Sequence, residues 1–323
     1  MSVDALTDAM FEDVERFGET YAVVVVVGDE IVCERYGGAL PHFDAPPEPV
    51  TPQTRLLSWS MAKSILHAAV GILVGDGRLE LDAPADVPRW RERDDDPRAA
   101  ITLEHLLTMR DGLDFVEDYV DDRVSDTIQM LFGDGKDDVA AYAASRPLLH
   151  EPDTHFNYSS GTSNIVAAVA ARAVGGGDAF VSFMHERLFA PIGMQSAEPR
   201  QDAAGTFIGS SYVYATARDF ARFGRLYLHD GAWDGTRVLP EGWVAHGRRV
   251  RSVDPEDGPY GAHWWVVGDE WDSFRAAGYE GQSILVCPPL DTVVVRLGRS
   301  DVTQYPALGT WRADVLAAVS SPG

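Results

Sequence analysis

Lysine is almost absent from this chain of 323 residues. Only two of its 27 basic residues are lysines, Lys63 and Lys136, and the other 25 are arginines. Arginine keeps its positive charge at any accessible pH, whereas a buried lysine can lose its proton and act as a base. A lysine retained in such a sequence is therefore a candidate catalytic residue.

Cysteine and long apolar stretches are also scarce. The two cysteines, Cys33 and Cys287, lie in apolar segments with strand character, where we expect buried thiols, with a disulfide as the alternative. No stretch approaches the roughly 20 apolar residues that a membrane-spanning helix needs. The N-terminal segment carries acidic residues where a signal peptide requires basic ones. We therefore expect a cytoplasmic protein that does not enter a membrane.

Positive charge is in short supply overall, because 50 acidic residues against 27 basic ones give a formal net charge of −23. Nucleic acids and anionic membranes bind clustered positive charge, so neither is expected as a partner. Scarcity of lysine alone could reflect GC-rich coding. Together with the acid excess, it resembles the acidic surfaces of halophilic proteins, with an ordinary acidic protein as the alternative.

The spacings that predict metal or phosphate sites are missing as well. No histidine pair has the spacing of a zinc protease, and the acidic runs at 94–96 and 134–138 do not fit a calcium loop. The glycines at 175–177 lack the lysine of a phosphate-binding loop and are better explained as a helix stop. We expect no metal and no cofactor.

Segments with strand character occupy both ends of the sequence. A β-branched run at 21–27, a Gly28-Asp29 turn and residues 31–35 predict one hairpin. Residues 283–287 and 292–297 predict a second. The sheet of this protein is therefore expected to combine both chain ends.

Helical periodicity fills the middle of the chain. Thr102 is predicted to cap a helix over 103–109, and a helix over 163–174 should stop at Gly175. A last helix is predicted over 303–319. Sheet at both ends with helices between them predicts an α+β fold.

A serine and a lysine stand together at the start of another predicted helix. Ser60 and Lys63 are three residues apart, so their side chains share one helix face. In this S-x-x-K arrangement a lysine can take the proton of a nucleophilic serine. The spacing also arises by chance, where a helix merely begins near a serine.

Further segments follow this pair in one order, at 77–82, 101–108, 118–120, 152–158, 216–222, 239–243 and 278–282. Together they resemble the serine β-lactamase and penicillin-recognising superfamily, in the branch of class C-like esterases and 6-aminohexanoate-dimer hydrolases. The resemblance implies an antiparallel sheet flanked by helices, with an inserted all-helical region. We expect residues 1–60 and 207–323 to form an α/β sheet subdomain, residues 61–206 a mainly helical one, and the active site to lie between them.

The resemblance also implies roles for individual residues. Ser60 matches the acylated nucleophile, Lys63 its lysine, and Tyr158 the tyrosine that exchanges protons with the serine and the leaving group. Outside this motif, Tyr158 would be read as a core or surface tyrosine. Ser160 stands where many class C members have asparagine and where relatives of the dimer hydrolases have serine.

Two further implied features concern substrate binding. The backbone N–H groups of Ser60 and Gln282 would hold the oxyanion, with Gly281 leaving room for the substrate at the strand edge. Tyr119 matches a loop tyrosine that closes over the substrate and contacts its amide. The alternative for Tyr119 is an exposed aromatic residue in an acidic loop.

Tyr279 and Glu280 depart from the family pattern. β-Lactamases carry a lysine or histidine here, so a cation that would bind the β-lactam carboxylate is missing. Glu280 is expected either to repel carboxylated substrates or to face outward on an acidic surface.

The sequence thus predicts a serine hydrolase that cleaves a small carboxylic ester or linear amide through an acyl-enzyme on Ser60, and that is a possible homodimer. One alternative is a β-lactamase-type activity. Another is a non-catalytic binding or sensory protein on the same fold, because a fold alone does not determine function. The joint presence of Ser60, Lys63 and Tyr158 argues against the second alternative.

The net charge of −23 generates a prediction about salt. Carboxylates repel one another in dilute buffer, and the Debye length of about 10 Å at 0.1 M means that moderate salt screens only part of this repulsion. We expect the thermal midpoint of unfolding to rise from low to molar potassium chloride. A flat or falling midpoint across the salt series would indicate an ordinary acidic protein.

Overall fold

The computed structural model describes residues 1–41 and 46–321, and its largest element is an antiparallel sheet built from both chain ends. In chain order its strands are β1 (Glu19–Val27), β2 (Glu30–Tyr36), β3 (Ser252–Asp254), β4 (Gly258–Tyr260), β5 (Trp265–Val266), β6 (Phe274–Gly278), β7 (Gln282–Cys287) and β8 (Thr292–Arg299). Across the sheet they follow the order β3-β4-β5-β6-β7-β8-β1-β2. Each neighbouring pair is antiparallel.

The described part of the chain contains eleven α-helices, some packed on this sheet and others on one another. They are α1 (Val3–Glu12), α2 (Val14–Phe17), α3 (Met61–Gly75), α4 (Leu103–Leu107), α5 (Asp126–Phe132), α6 (Val139–Ala144), α7 (Ser160–Val174), α8 (Gly177–Met184), α9 (Ala217–Leu228), α10 (Trp243–Arg248) and α11 (Tyr305–Ser320). Three smaller sheets complete the structure. Two are two-stranded, one pairing Ala39–Leu40 with Glu48–Pro49 and the other pairing Ala232–Trp233 with Thr236–Arg237. The third is three-stranded, with Val213–Ala215 between Leu56–Leu57 and Glu198–Pro199.

The valine run of β1 is buried on both faces of the sheet. Val24 and Val26 face the main hydrophobic core, whereas Val23 and Val25 face a second core that includes Trp311 of α11. Successive side chains of a strand point to opposite faces, so a continuous apolar run suits a strand covered on both sides. The two ends of the chain are held together by this strand and its neighbours.

Both predicted hairpins are present. β1 and β2 are joined at the Gly28-Asp29 turn, where Gly28 adopts φ +59°, and β7 and β8 are joined through 288–291. The predicted C-terminal helix forms as α11. The predicted α+β architecture is therefore confirmed, while the division at residues 60 and 206 stays a prediction, because one core contains residues from both segments.

Two helices differ from the predicted bounds for identifiable reasons. Helix α4 begins after the predicted cap Thr102 but ends at Leu107, because Met109 turns to φ +59° and its carbonyl oxygen accepts the N–H of Asn157. Helix α7 starts at Ser160, three residues earlier than predicted. The side chain of Ser159 accepts the N–H of Thr162 and thereby caps this earlier start.

Helix α3 is the central helix of the molecule, and nearly its whole surface is buried. A helix that is apolar all round belongs in a protein core. Its Gly71 lies directly against the indole ring of Trp243, whose Nε1 donates to the carbonyl oxygen of His67 at 3.0 Å. Close packing on this helix determines where its first turn, which carries Ser60 and Lys63, can lie.

No single helix within 1–41 and 46–321 is long and apolar enough to cross a membrane. The α7 segment and residues 177–189 pass that test only when taken together, and they are bent by 91° at their junction. Cys33 and Cys287 are both free and buried, as predicted.

Glycine-to-alanine changes on two helices test the packing of α3. Gly71→Ala should lower the free energy of unfolding by about 1–3 kcal/mol, because the new methyl group would overlap Trp243. Gly309→Ala on α11 is the matched control. It should raise that free energy by about 0.5–1 kcal/mol, because only Arg312 Nη2 lies near the added carbon, at 3.8 Å. Denaturant unfolding measures both, and a Gly71→Ala protein as stable as the parent would contradict this packing.

Candidate active site

The chain enters α3 through an unusual backbone conformation at Trp59. This residue has φ +45°, a region that bulky side chains rarely occupy, and such outliers often mark functional sites. Ser60 follows as the N-cap residue of α3, but its side chain makes no capping hydrogen bond. The Ser60 hydroxyl is therefore free to point into the cleft between the sheet and the helices.

Lys63 lies one turn further along, inside the protein. It is 2% exposed, and its Nζ donates to Ser60 Oγ at 3.0 Å, to Ser160 Oγ at 3.1 Å and to the carbonyl oxygen of Ser210 at 3.0 Å. Burial lowers the pKa of Lys63 to about 8, although the negative charge of Glu117 acts in the opposite direction. An amine with this pKa can be neutral near physiological pH and accept the Ser60 proton.

Tyr158 completes the predicted catalytic trio. Tyr158 lines the same cavity as Ser60, and burial raises the pKa of its phenol well above the usual value, so the phenol stays protonated at working pH. Lys63 Nζ lies over the ring, 4.8 Å from its centroid. The structure therefore brings Ser60, Lys63 and Tyr158 together, with Lys63 contacting the serine directly.

Glu117 is a site residue that sequence reasoning missed. Its Oε1 accepts the Ser160 hydroxyl at 2.6 Å and its Oε2 accepts the Ser160 N–H at 2.7 Å, while Thr127 Oγ1 donates to Oε2 at 2.9 Å. A hydrogen-bonded chain thus runs from Glu117 through Ser160 to Lys63. The only hint in the sequence was the position of Glu117 two residues before Tyr119.

Tyr119 lies at the mouth of the cleft. It is 42% exposed, its hydroxyl donates to Glu117 Oε1 at 2.6 Å, and its ring centroid is 5.1 Å from that of Tyr279. Tyr279 in turn meets the Trp59 ring edge to face at 5.7 Å. These three aromatic rings line a cavity beside Ser60, and the contact of Tyr119 with bound substrate stays a prediction.

The turn between β6 and β7 lies against the nucleophile segment. A Cβ on Gly278 would come within 2.5 Å of the Ser58 carbonyl oxygen and 3.1 Å of Trp59 Cβ, so only glycine fits at this strand end. Within this turn, the backbone of Gly278 therefore lies directly against Ser58 and Trp59. This position lies four residues before Gln282.

Gly281 and Gln282 line the same cleft, but their surroundings differ from the sequence expectation. Gly281 has φ +80°, and a Cβ there would come within 2.5 Å of Leu308 Cδ1, so the reason for glycine is packing and backbone conformation. The Gln282 side chain donates to the Tyr279 carbonyl oxygen at 3.1 Å and accepts the Gly298 N–H at 3.0 Å. The oxyanion role of Gln282 stays a prediction.

Of the two alternatives for Glu280, the geometry favours the outward one. Its Oε1 lies 3.3 Å from Arg299 Nε, and its Oε2 accepts the Trp59 indole N–H at 3.3 Å. The repulsion of carboxylated substrates considered from the sequence therefore loses its structural basis, because Arg299 partly neutralises this charge.

Two cavities flank Ser60. The larger has a volume of about 440 Å³ and is lined by the nucleophile and by polar residues that include Tyr158, Asp257, Arg275, Tyr305 and Arg312. The smaller has a volume of about 90 Å³ and includes the apolar side chains of Ile128, Leu131 and Phe132. A concave site with apolar walls and a few convergent polar groups is typical of small-molecule binding.

An antiparallel sheet backed by helices, with an S-x-x-K helix and a tyrosine in the intervening cleft, defines the penicillin-recognising class of proteins. Comparison with known sequences agrees with this class. The chain belongs to the Beta-lactamase family, whose sequence model matches residues 12–318. The predicted fold and the predicted family are thereby confirmed.

Individual relatives include both amide and ester hydrolases. The chain is 28% identical over 319 residues to the 6-aminohexanoate-dimer hydrolase of Paenarthrobacter ureafaciens, covering 91% of this chain and 77% of that protein. It is 30% identical over 268 residues to the esterase EstB of Burkholderia gladioli, covering 77% and 62% respectively.

A solved structure of a 6-aminohexanoate-dimer hydrolase-like protein from Bacillus anthracis aligns with a TM-score of 0.78. The alignment has 22% sequence identity and covers 96% of this chain and 81% of the other. At this level of identity, the likeness concerns the fold alone.

The contact of Glu117 with the lysine network predicts a change in pH dependence. If neutral Lys63 is the base, kcat/KM should rise with pH through a midpoint near 8. Glu117→Gln removes the negative charge that favours the protonated amine, so the midpoint should move to lower pH. Thr127→Val is the control, because it removes a hydrogen bond to Glu117 without changing charge. If the midpoint of the kcat/KM profile does not shift in Glu117→Gln, then Glu117 does not influence the titration of Lys63.

Proposed function

We propose that this protein is a serine hydrolase that cleaves a small carboxylic ester or linear amide through an acyl-enzyme on Ser60. The proposal rests chiefly on one observation, the contact of 3.0 Å between Ser60 Oγ and the buried amine of Lys63, whose pKa is lowered to about 8. A nucleophile held against a base of matched pKa at the floor of a cleft is the arrangement that covalent catalysis requires.

In the acylation step, neutral Lys63 takes the proton of Ser60 as Oγ attacks the substrate carbonyl carbon. Tyr158 then gives its phenolic proton to the departing oxygen or nitrogen, and the bond to the leaving group breaks. The phenolate that results is stabilised by the adjacent Lys63 ammonium, which lies 4.8 Å from the ring centroid.

In the deacylation step, water attacks the acyl carbon and gives its proton to the Tyr158 phenolate. Lys63 returns its proton to Ser60 Oγ as the ester bond to the enzyme breaks. Both groups regain their starting protonation states, and the products are a carboxylic acid and an alcohol or amine. Every proton transferred in the two steps stays among the substrate, water and these three side chains.

Backbone N–H groups at the nucleophile would stabilise the oxyanion formed in each step. Ser60 supplies one donor at the start of α3. We propose the Tyr279 N–H as the second, since Gly278 brings this peptide against residues 58 and 59. Gln282, the donor expected from the sequence, is the alternative within the same turn.

Ester or linear amide cleavage is favoured over β-lactam hydrolysis by the surroundings of the strand end. The turn carries Tyr279 and Glu280, and neither supplies the positive charge that β-lactamases use there. The two relatives named above, an esterase and an amide hydrolase, agree with this preference. A purely non-catalytic role is disfavoured, because burying a lysine amine costs free energy that a binding protein could avoid with an apolar residue.

Covalent labelling tests the nucleophile directly. A fluorophosphonate should modify Ser60 alone, as read by intact mass and peptide mapping, and Ser60→Ala should abolish the label. Modification at another residue, or undiminished label in Ser60→Ala, would remove Ser60 from the mechanism.

The two lysines provide a matched test of the base. Lys63→Arg should lower kcat/KM by at least about 100-fold, nearly as much as Lys63→Ala, because arginine cannot accept a proton at working pH. Lys136→Arg, the same change at an exposed position, should leave the rate unchanged. Near-parental turnover by Lys63→Arg would show that the lysine is not the base.

A further inference from the structure

Two arginines in the larger cavity have no protein partner. Arg275 lies on β6, three residues before Gly278, and Arg312 lies on α11. Neither forms a hydrogen bond or ion pair with any residue of 1–41 or 46–321, whereas most arginines of this chain pair with a carboxylate. Their guanidinium groups open onto the cleft that contains Ser60.

The lack of partners is notable because both side chains are half-buried in the wall of the cavity. Burial lowers the pKa of Arg275, and burial together with the positive charge of Arg275 lowers the pKa of Arg312. Arg296 shows how the same fold otherwise accommodates a buried guanidinium, since its N–H groups donate to the carbonyl oxygens of Glu280 and Phe17. Arg275 and Arg312 retain unused donors in a place where charge is costly.

Acidic residues at the rim do not neutralise the pair. Asp257 and Glu256 line the same cavity, and the charge of Arg275 opposes the rise that burial causes in the Asp257 pKa. No ion pair within 4.0 Å joins either acid to Arg275 or Arg312 among the described residues. The pair therefore remains available to an anion that enters the cleft.

We propose that Arg275 and Arg312 form a carboxylate-binding subsite, so that the substrate is an ester or amide with a carboxylate on the part held in the larger cavity. This inference rests on the proposed hydrolase function and names its substrate class. Arginine presents planar N–H pairs that match a carboxylate, and charge-assisted hydrogen bonds of this kind are strong. A singly charged group also suits the acidic rim, where a phosphate dianion would meet greater repulsion from Asp257 and Glu256.

The smaller cavity limits the other part of the substrate. Its volume of about 90 Å³ and its walls of Ile128, Leu131 and Phe132 suit a short apolar group. The substrate then has a short apolar group on one side of the scissile bond and a carboxylate on the other. The positive charge that is missing at Tyr279 and Glu280 is supplied instead by Arg275 of β6 and Arg312 of α11.

Two pairs of esters test the subsite. In the first pair, mono-p-nitrophenyl glutarate carries a carboxylate on its acyl group, and p-nitrophenyl butyrate is its neutral counterpart. In the second pair, 4-acetoxybenzoate carries the carboxylate on its leaving group, and its methyl ester is the neutral counterpart. In at least one pair, the carboxylated ester should be preferred. Arg275→Gln combined with Arg312→Gln should lower kcat/KM for that ester by at least about tenfold more than for its neutral partner.

Arg93→Gln is the control for net charge, because this arginine is exposed and lies outside the cavity. All assays are run at constant ionic strength. Should the arginine variants fail to fold, Asp257→Asn at the exposed rim provides a second test. It should increase the preference for the carboxylated ester, since it removes a competing negative charge, and an unchanged or lower preference would count against the subsite.

Different experimental results would contradict the proposed subsite and the proposed hydrolase function. Absence of fluorophosphonate label on Ser60 would overturn the hydrolase function, whatever the arginines do. With Ser60 labelled, equal discrimination by the parent and the double arginine variant in both ester pairs would overturn the subsite alone. Calorimetric titration of Ser60→Ala with glutarate and with benzoate needs no turnover, and binding of at least one that weakens in the double variant is the expected result.

Discussion

The burial of one amine is the constraint on which the rest of this structure depends. Lys63 Nζ is surrounded by Ser60, Ser160 and the carbonyl oxygen of Ser210, which accept its three hydrogen bonds. Each acceptor comes from a different part of the chain, so the amine is satisfied only when α3, α7 and the segment before Val213 are packed together. A buried polar group without partners would cost several kcal/mol, which ties the geometry of the site to the stability of the fold.

Charge is distributed unevenly between the surface and the cleft. The chain carries a net charge of −23, yet Arg275 and Arg312 stand unpaired in the larger cavity and Lys63 lies beneath it. An anionic substrate would be repelled by the general surface and attracted only within this cleft. Such a field favours selectivity for ligands small enough to enter and bring their charge onto the arginines.

Local patterns predicted those features whose causes are local. The turn at Gly28 and Asp29 and the helix stop at Gly175 depend on neighbours in the chain, and the structure contains both. The early end of α4 and the early start of α7 were not predicted, because they depend on contacts with Asn157 and on the cap by Ser159. Glu117 was missed because its partner Ser160 lies 43 residues away in the sequence.

Sequence alone determined the chemical groups of this protein: a lysine kept among arginines, a serine one helical turn before it, and a tyrosine in a recognisable order of segments. These features follow from residue type and short spacing, which are properties of the sequence before it folds. Only the tertiary structure decided how these groups are tuned. The lowered pKa of Lys63, the pairing of Glu280 with Arg299 and the convergence of Arg275 with Arg312 arise from burial and from contacts between residues brought together by the fold, because desolvation and electrostatic coupling depend on distance in space.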